Sequence, residues 1–373
     1  MFNATKLGQK LPWNYNRYVL GIIIFAFSCS PSLVSHFYLP YFFRPVSLML
    51  RAITGKMDNA IGEWLYLIIV ISLIIKLVKW LMNNNEHFLT AAFWPAQMVK
   101  MFNSLLKLYI LFELCWGLNY QKNSPAEDFK MQVPTSYSEA QMDSLSLDLI
   151  QKMNVTREKL SDSALKTLEI DLIMEQTKGQ FDQIDTDFPF LHYRRSSLKK
   201  AAFPSWGDYF GYTAFYQPLT VEAIIRDDLP LLTQPFTVSH EIAHQLGYAS
   251  ETEANFIAFV IGTESKDPLF NYSAQLQLFT YAQLAQLNSI AKRGDFKLFE
   301  NVIARNKKLL NPKVLADRKQ IRDFFSRKQD LQIPGSTQLY NQFLQWNKQA
   351  KGIESYNDVL LWALAYKKLS HNK

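Results

Sequence analysis

Pro235-Phe236-Thr237-Val238-Ser239-His240-Glu241-Ile242-Ala243-His244-Gln245-Leu246-Gly247 sets two histidines four residues apart, with a glutamate directly after the first. On an α-helix, residues i and i+4 lie one above the other on the same face, so His240 and His244 can offer two imidazoles to one divalent ion. Glu241 stands one step around and can reach a water at that ion without being a ligand. Pro235 is near the start of the helix, Thr237 is placed to cap it, and Gly247 can end it in the left-handed conformation. The chain has only 6 histidines. Chance places H-E-x-x-H in such a chain roughly once in two hundred, so the spacing carries information.

Two imidazoles and one carboxylate suit zinc, with a fourth position left to water. The carboxylate is expected in the next helix, which opens with Ser250-Glu251-Thr252-Glu253-Ala254-Asn255. Glu251 and Asn255 share a face, and Ala254, Ala258 and Gly262 keep it small enough to approach the histidine helix. Glu251 is therefore the expected third ligand, with Asn255 orienting a histidine from behind. Glu253 is the alternative ligand. It lies with Phe256, Ile257 and Val260, and it stands three residues after Ser250, where it completes a capping box.

Upstream, Phe203 to Ile225 is rich in aromatic and β-branched residues and is expected to form strands. Tyr212 and Tyr216 lie within it. Either could stabilise negative charge at a carbonyl oxygen, and a peptide could pair with such a strand; packing is the plainer role for both. His192 reads as a structural histidine and Glu222 as an exposed polar residue. Helices are expected over Ser138–Met153, Ser161–Phe181, Gln275–Ala291, Phe296–Leu310 and Leu339–Ala350. The fold class is mainly α with a small β component (α+β).

The chain has 373 residues, 48% of them hydrophobic, yet its mean hydropathy is only −0.10. The apolar residues are concentrated in the first third. Tyr18–Val34, Ile61–Leu81 and Met101–Tyr120 are expected to be transmembrane helices. The third carries Lys107 and Glu113, and an interfacial helix is its alternative. Ala26-Phe27-Ser28-Cys29 fits a lipoprotein cleavage site poorly, so the first segment is read as uncleaved. Residues 1–121 thus form a membrane region and 122–373 a soluble domain, joined by the polar linker Asn123-Ser124-Pro125-Ala126.

Lys6, Lys10, Arg17, Lys76 and Lys79 would lie on one side of the bilayer, and Arg44, Arg51 and Lys56 on the other. That bias places the N-terminus in the cytoplasm and, after three spans, the soluble domain outside it. The net charge of +7 is scattered without a basic stripe, which argues against nucleic acid as a partner. The 2 cysteines, Cys29 and Cys115, both fall in apolar runs, so neither a disulfide framework nor a cysteine zinc site is expected.

The motif residues resemble the zincin superfamily of metallopeptidases, in its branch with a glutamate ligand. Glu251 and Asn255 match that branch's ligand glutamate and the acidic or amide residue four later. Six residues separate His244 from Glu251, fewer than most of the branch uses. The whole chain resembles an uncharacterised bacterial family of membrane proteins (domain of unknown function 3810). Trp116-Gly117-Leu118-Asn119-Tyr120, Pro235-Phe236-Thr237, Gly247, Glu251, Glu253-Ala254-Asn255 and Ser355-Tyr356 carry that resemblance. It implies a multi-span N-terminus in the bacterial inner (cell) membrane followed by a zincin-like domain, and it implies no substrate.

The expected function is a membrane-anchored, Zn2+-dependent metallopeptidase with Glu241 as general base, acting on a peptide or membrane-protein substrate. The alternative is a non-catalytic zincin-fold module for binding or sensing. Glu241 favours the enzyme, because a scaffold has no need of a base. A transporter fits poorly, since paired broken helices are missing from the pattern.

Overall fold

The computed structural model describes residues 13–84, 88, 90, 93–336, 338, 341, 342, 345 and 356–371. The chain is mainly helical and separates into two compact units, Met1–Pro45 with Trp64–Asn123, and Val46–Glu63 with Ser124–Lys373. The second unit carries the H-E-x-x-H stretch. Its claim on Val46–Glu63 departs from a simple division near residue 121.

In the first unit, α1 spans Trp13–Ser28. The chain then bends by 101° into a second helical run from Pro31 to Thr54. That run comprises α2 (Pro31–Leu33), a π-helical stretch Val34–Phe43 and α3 (Arg44–Thr54). Ser30 caps the second run by accepting from Leu33 N at 3.4 Å. Pro40 lies inside the π-helical stretch, where its missing N–H suits a widened turn. α4 (Ile61–Asn84) and α5 (Phe93–Cys115) follow.

Among the described residues, α4 is the one helix long and apolar enough by itself to cross a membrane. The bent pair Asn16–Ser28 and Pro31–Thr54 passes the same test only when taken together. The first expected span is therefore broken between Ser28 and Pro31. The third, α5, falls short of the criterion with its Lys107 and Glu113. Arg51, counted among the cations on one side of the bilayer, is buried on α3.

The second unit has a three-stranded sheet in the order β1-β3-β2. β1 (Leu198–Lys200) runs parallel to β3 (Glu222–Ile225), and β2 (Ala214–Gln217) runs antiparallel to it, pairing Tyr216 with Ala223. Every residue of β3 is buried. The expected strand region is only partly strand. Trp206–Phe210 instead form the short helix α10, which Gly211 ends at φ 79°. Asp208 draws this turn inward by pairing with buried Arg226 at 2.5 Å. Val221 enters β3 at φ 57°, a left-handed conformation that is uncommon for a β-branched residue. The turn before it is held by Gln217, whose Oε1 accepts from Leu219 N and Thr220 N.

Around the sheet lie α6 (Pro125–Asp128), α7 (Glu139–Glu158), α8 (Asp162–Lys166) and α9 (Ile170–Ile184). Ser138 and Gln141 form a reciprocal capping box on α7. The single helix expected over Ser161–Phe181 is two, α8 and α9. Downstream come α11 (Gln234–Gln245), α12 (Glu251–Glu264), α13 (Pro268–Lys292), α14 (Phe296–Leu309), α15 (Pro312–Gln329) and α16 (Tyr356–His371). The expected helix Leu339–Ala350 lies largely outside the described residues.

α12 is the central helix, buried continuously from Thr252 to Gly262. α12 packs closely on the histidine helix as expected, but the last of its small residues serves a different neighbour. A Cβ on Gly262 would meet the Ala274 Cβ at 2.3 Å, so Gly262 admits α13 rather than the histidine helix.

Candidate metal centre

α11 begins with Gln234 and Pro235 in its first turn, where the missing proline N–H costs nothing. Thr233 occupies the N-cap position. Thr237 lies inside the helix, and its hydroxyl donates to the Thr233 carbonyl at 3.0 Å, so it does not cap. Gly247 closes the other end at φ 92°. Gly247 N donates to the His244 carbonyl and Tyr248 N folds back to the Ala243 carbonyl at 3.1 Å.

This turn fixes the second histidine. His244 Nδ1 donates to the Tyr248 carbonyl at 2.7 Å, and His240 Nδ1 donates to Asn255 Oδ1 at 3.0 Å. With both Nδ1 atoms engaged, both Nε2 lone pairs are left for a ligand. They converge on one carboxylate. His240 Nε2 lies 3.3 Å from Glu251 Oε2, and His244 Nε2 lies 3.8 Å from Glu251 Oε1. The two rings are perpendicular, with centroids 4.6 Å apart.

The three candidate ligand atoms lie within 4.8 Å of one another. A tetrahedral ion bonded at roughly 2.0–2.1 Å separates its ligand atoms by about 3.3 Å, so the spacing fits a zinc-sized ion. The donor set of two imidazoles and one carboxylate fits as well. Glu251 is at the first position of α12, where the helix dipole favours a negative charge. Glu253 is buried and lies outside this group. The Ser250 side chain makes no capping bond, so the capping box expected with Glu253 is absent.

Glu241 is 4% exposed, and its Oε2 is buried with no hydrogen-bond partner among the described residues. Burial pushes its pKa up to about 8, opposed by the charge of His240 and reinforced by that of Glu251. Burial and the neighbouring His240 push His244 down to about 4. Burial, the largest single influence, acts to lower His240, but Glu251 together with Glu241 and Asn255 outweighs it and raises the imidazole above its ordinary value.

The two tyrosines separate. Tyr216, on β2, has its ring 6.3 Å from that of His244. Tyr212 lies before β2, packs edge-to-face on Phe215 and gives its carbonyl to Arg226 at 3.2 Å. His192 pairs with Asp185. Glu222 is fully buried rather than exposed. It accepts from Ile61 N at 3.1 Å, Gly62 N at 2.5 Å and Thr220 Oγ1 at 2.8 Å, capping the first turn of α4.

Two supports were not anticipated. The Gln245 side chain, fully buried, donates to the Ser197 and Val221 carbonyls at 2.9 and 2.8 Å and accepts from the Tyr193 hydroxyl. It ties the motif helix to β3. Tyr248, whose carbonyl holds His244, is itself anchored by its hydroxyl to Asp128 at 3.1 Å. Their positions beside the motif were the available signal.

A family model described as a protein of unknown function (DUF3810) matches residues 38–364. No curated protein and no solved structure matches the chain.

Proposed function

The chain belongs to the DUF3810 family of proteins of unknown function, and on that premise we propose that it is a membrane-anchored zinc metallopeptidase. The observation that carries this reading is the convergence of His240, His244 and Glu251 beside a buried carboxylate, Glu241, that has an unsatisfied oxygen. A buried polar atom without a partner is destabilising, and such atoms concentrate at working sites.

His240, His244 and Glu251 would hold the ion. Bound there, zinc supplies Lewis-acid polarisation of a carbonyl and lowers the pKa of water. The remaining work belongs to the chain. Asn255 and the Tyr248 carbonyl keep both rings turned inward. In its ionised form Glu241 would take a proton from the attacking water at Oε2 and return it to the departing amine. The Tyr216 hydroxyl is the candidate to steady negative charge at the substrate carbonyl oxygen. In this reading the apolar helix α4 is the membrane anchor.

The test uses the full chain purified in detergent. One zinc per wild-type chain by elemental analysis, its loss in His240→Ala, and its retention in Glu241→Gln are expected. Membranes containing Glu241→Gln should accumulate peptides that wild-type membranes cut. Zinc undiminished in His240→Ala sinks the ligand set, and cleavage undiminished in Glu241→Gln sinks the base. Zinc binding without any cleavage would favour the non-catalytic module.

A further inference from the structure

α3 is built inside out for a helix in water. Ser47, Arg51 and Thr54 recur at helical spacing on one face, and all three are buried. The opposite face carries Met49 and Ile53, which are 56% and 51% exposed, and Leu48 on its flank is 39% exposed. A helix lying on a soluble domain turns its apolar stripe inward.

The buried face is bonded to the neighbourhood of the metal site. Ser47 Oγ donates to the Gln245 carbonyl at 3.3 Å, one residue beyond His244. The Arg51 guanidinium lies 5.1 Å from the centroid of the Tyr193 ring, and the Tyr193 hydroxyl donates to Gln245 Oε1. Thr54 Oγ1 is 2.8 Å from Ser197 Oγ and 3.2 Å from the Thr220 carbonyl. The outer face has cations at its ends, with Arg44 exposed before it and Lys56 exposed after it. Within a few residues the chain enters the apolar helix α4.

We propose that α3 is the lipid-facing helix of the site-bearing unit, its outer face set in bilayer hydrocarbon while its inner face holds the His244 end of α11 at that surface. The polarity decides the occupant. Leu48, Met49 and Ile53 offer no polar group to a partner, and Arg44 and Lys56 are placed to reach headgroups from either end, as in interfacial helices. Continuity with α4 supplies the bilayer. The substrate class follows. A site one residue from a lipid-seated helix acts on polypeptide presented at the membrane surface. The seating of α3 rests on the membrane anchorage stated above, and the substrate class rests besides on the peptidase reading of the metal site.

The experiment places a fluorescent thiol label at Met49→Cys, at Ile53→Cys and, as an exposed control in the same unit, at Lys307→Cys. Each is made in a chain with Cys29→Ser and Cys115→Ser and reconstituted in nanodiscs of phosphatidylcholine and phosphatidylglycerol. Lipid carrying a nitroxide on its acyl chain should quench positions 49 and 53 several-fold more than 307, and aqueous iodide should do the reverse. Iodide quenching at 49 and 53 equal to that at 307 overturns the proposal. So does shielding from both quenchers, which would mark a protein partner such as a second copy. Zinc content measured on the same samples separates failure of this proposal from failure of the metal site.

Discussion

Removing the charge of Glu241 should make the metal-free protein more stable in alkaline solution. In the fold, burial holds the Glu241 pKa at about 8, against an ordinary value of 4.5. A raised carboxylate pKa reverses the usual acid case, because the folded chain binds the proton more tightly than the unfolded one. Stability from this group is therefore full below pH 4.5, falls as pH rises, and reaches its floor above about 8. At about 1.4 kcal/mol for each pH unit crossed, the penalty at pH 9 has an upper value of about 5 kcal/mol. Glu241→Gln keeps the shape and removes the titration. The assay is denaturant unfolding of both proteins, full length in detergent and stripped with a chelator, from pH 4 to pH 9. The curves should coincide at pH 4 and separate steadily above pH 5, with Glu241→Gln the more stable by several kcal/mol at pH 9. Parallel curves over the whole range would show that this carboxylate is solvated, and the proposed base would lose its structural support.

Asn255→Ala removes the acceptor that orients His240 and should weaken zinc affinity roughly 10–100-fold, read by competition with a chromophoric chelator; unchanged affinity would contradict the orienting role. Gln245→Met leaves the Val221 carbonyl without its partner, while the Ser197 carbonyl keeps Ala223 N and the Tyr193 hydroxyl keeps Ser196 Oγ. At about 1–3 kcal/mol for an orphaned buried group, it should lower unfolding stability by roughly 1–3 kcal/mol. Zinc content of the folded fraction should stay equimolar, since no ligand is touched. Gly262→Ala drives a methyl into Ala274 and should cost about 1–3 kcal/mol in thermal unfolding; an unchanged midpoint would mean that α12 and α13 are less tightly packed than their geometry implies.

What could be read in advance was what depends on near neighbours in sequence. The i, i+4 spacing of His240 and His244, the left-handed Gly247 and the shared face of Glu251 and Asn255 are local properties of helices, and all appear in the structure. The failures share the opposite cause. Glu222 looks like a surface acid until the fold brings Ile61 N and Gly62 N to it from about 160 residues away. Arg51 counts in the sequence as one of the cations flanking the membrane segments, and only the Tyr193 ring beside it shows why it turns inward. Trp206–Phe210 have strand-like composition, but the ion pair of Asp208 with Arg226 curls them into a helical turn. Thr237 lost the capping position to Thr233, four residues upstream.

Val221 bears on how the unit holds together. Its left-handed backbone is disfavoured by the local sequence, since a β-branched residue gains nothing from that conformation by itself. The carbonyl of the same residue is held by Gln245, from the far end of the histidine motif. The entry turn of β3, held locally by Gln217, is thus also tied to α11, and the sheet and the histidine helix should stabilise each other as one cooperative unit.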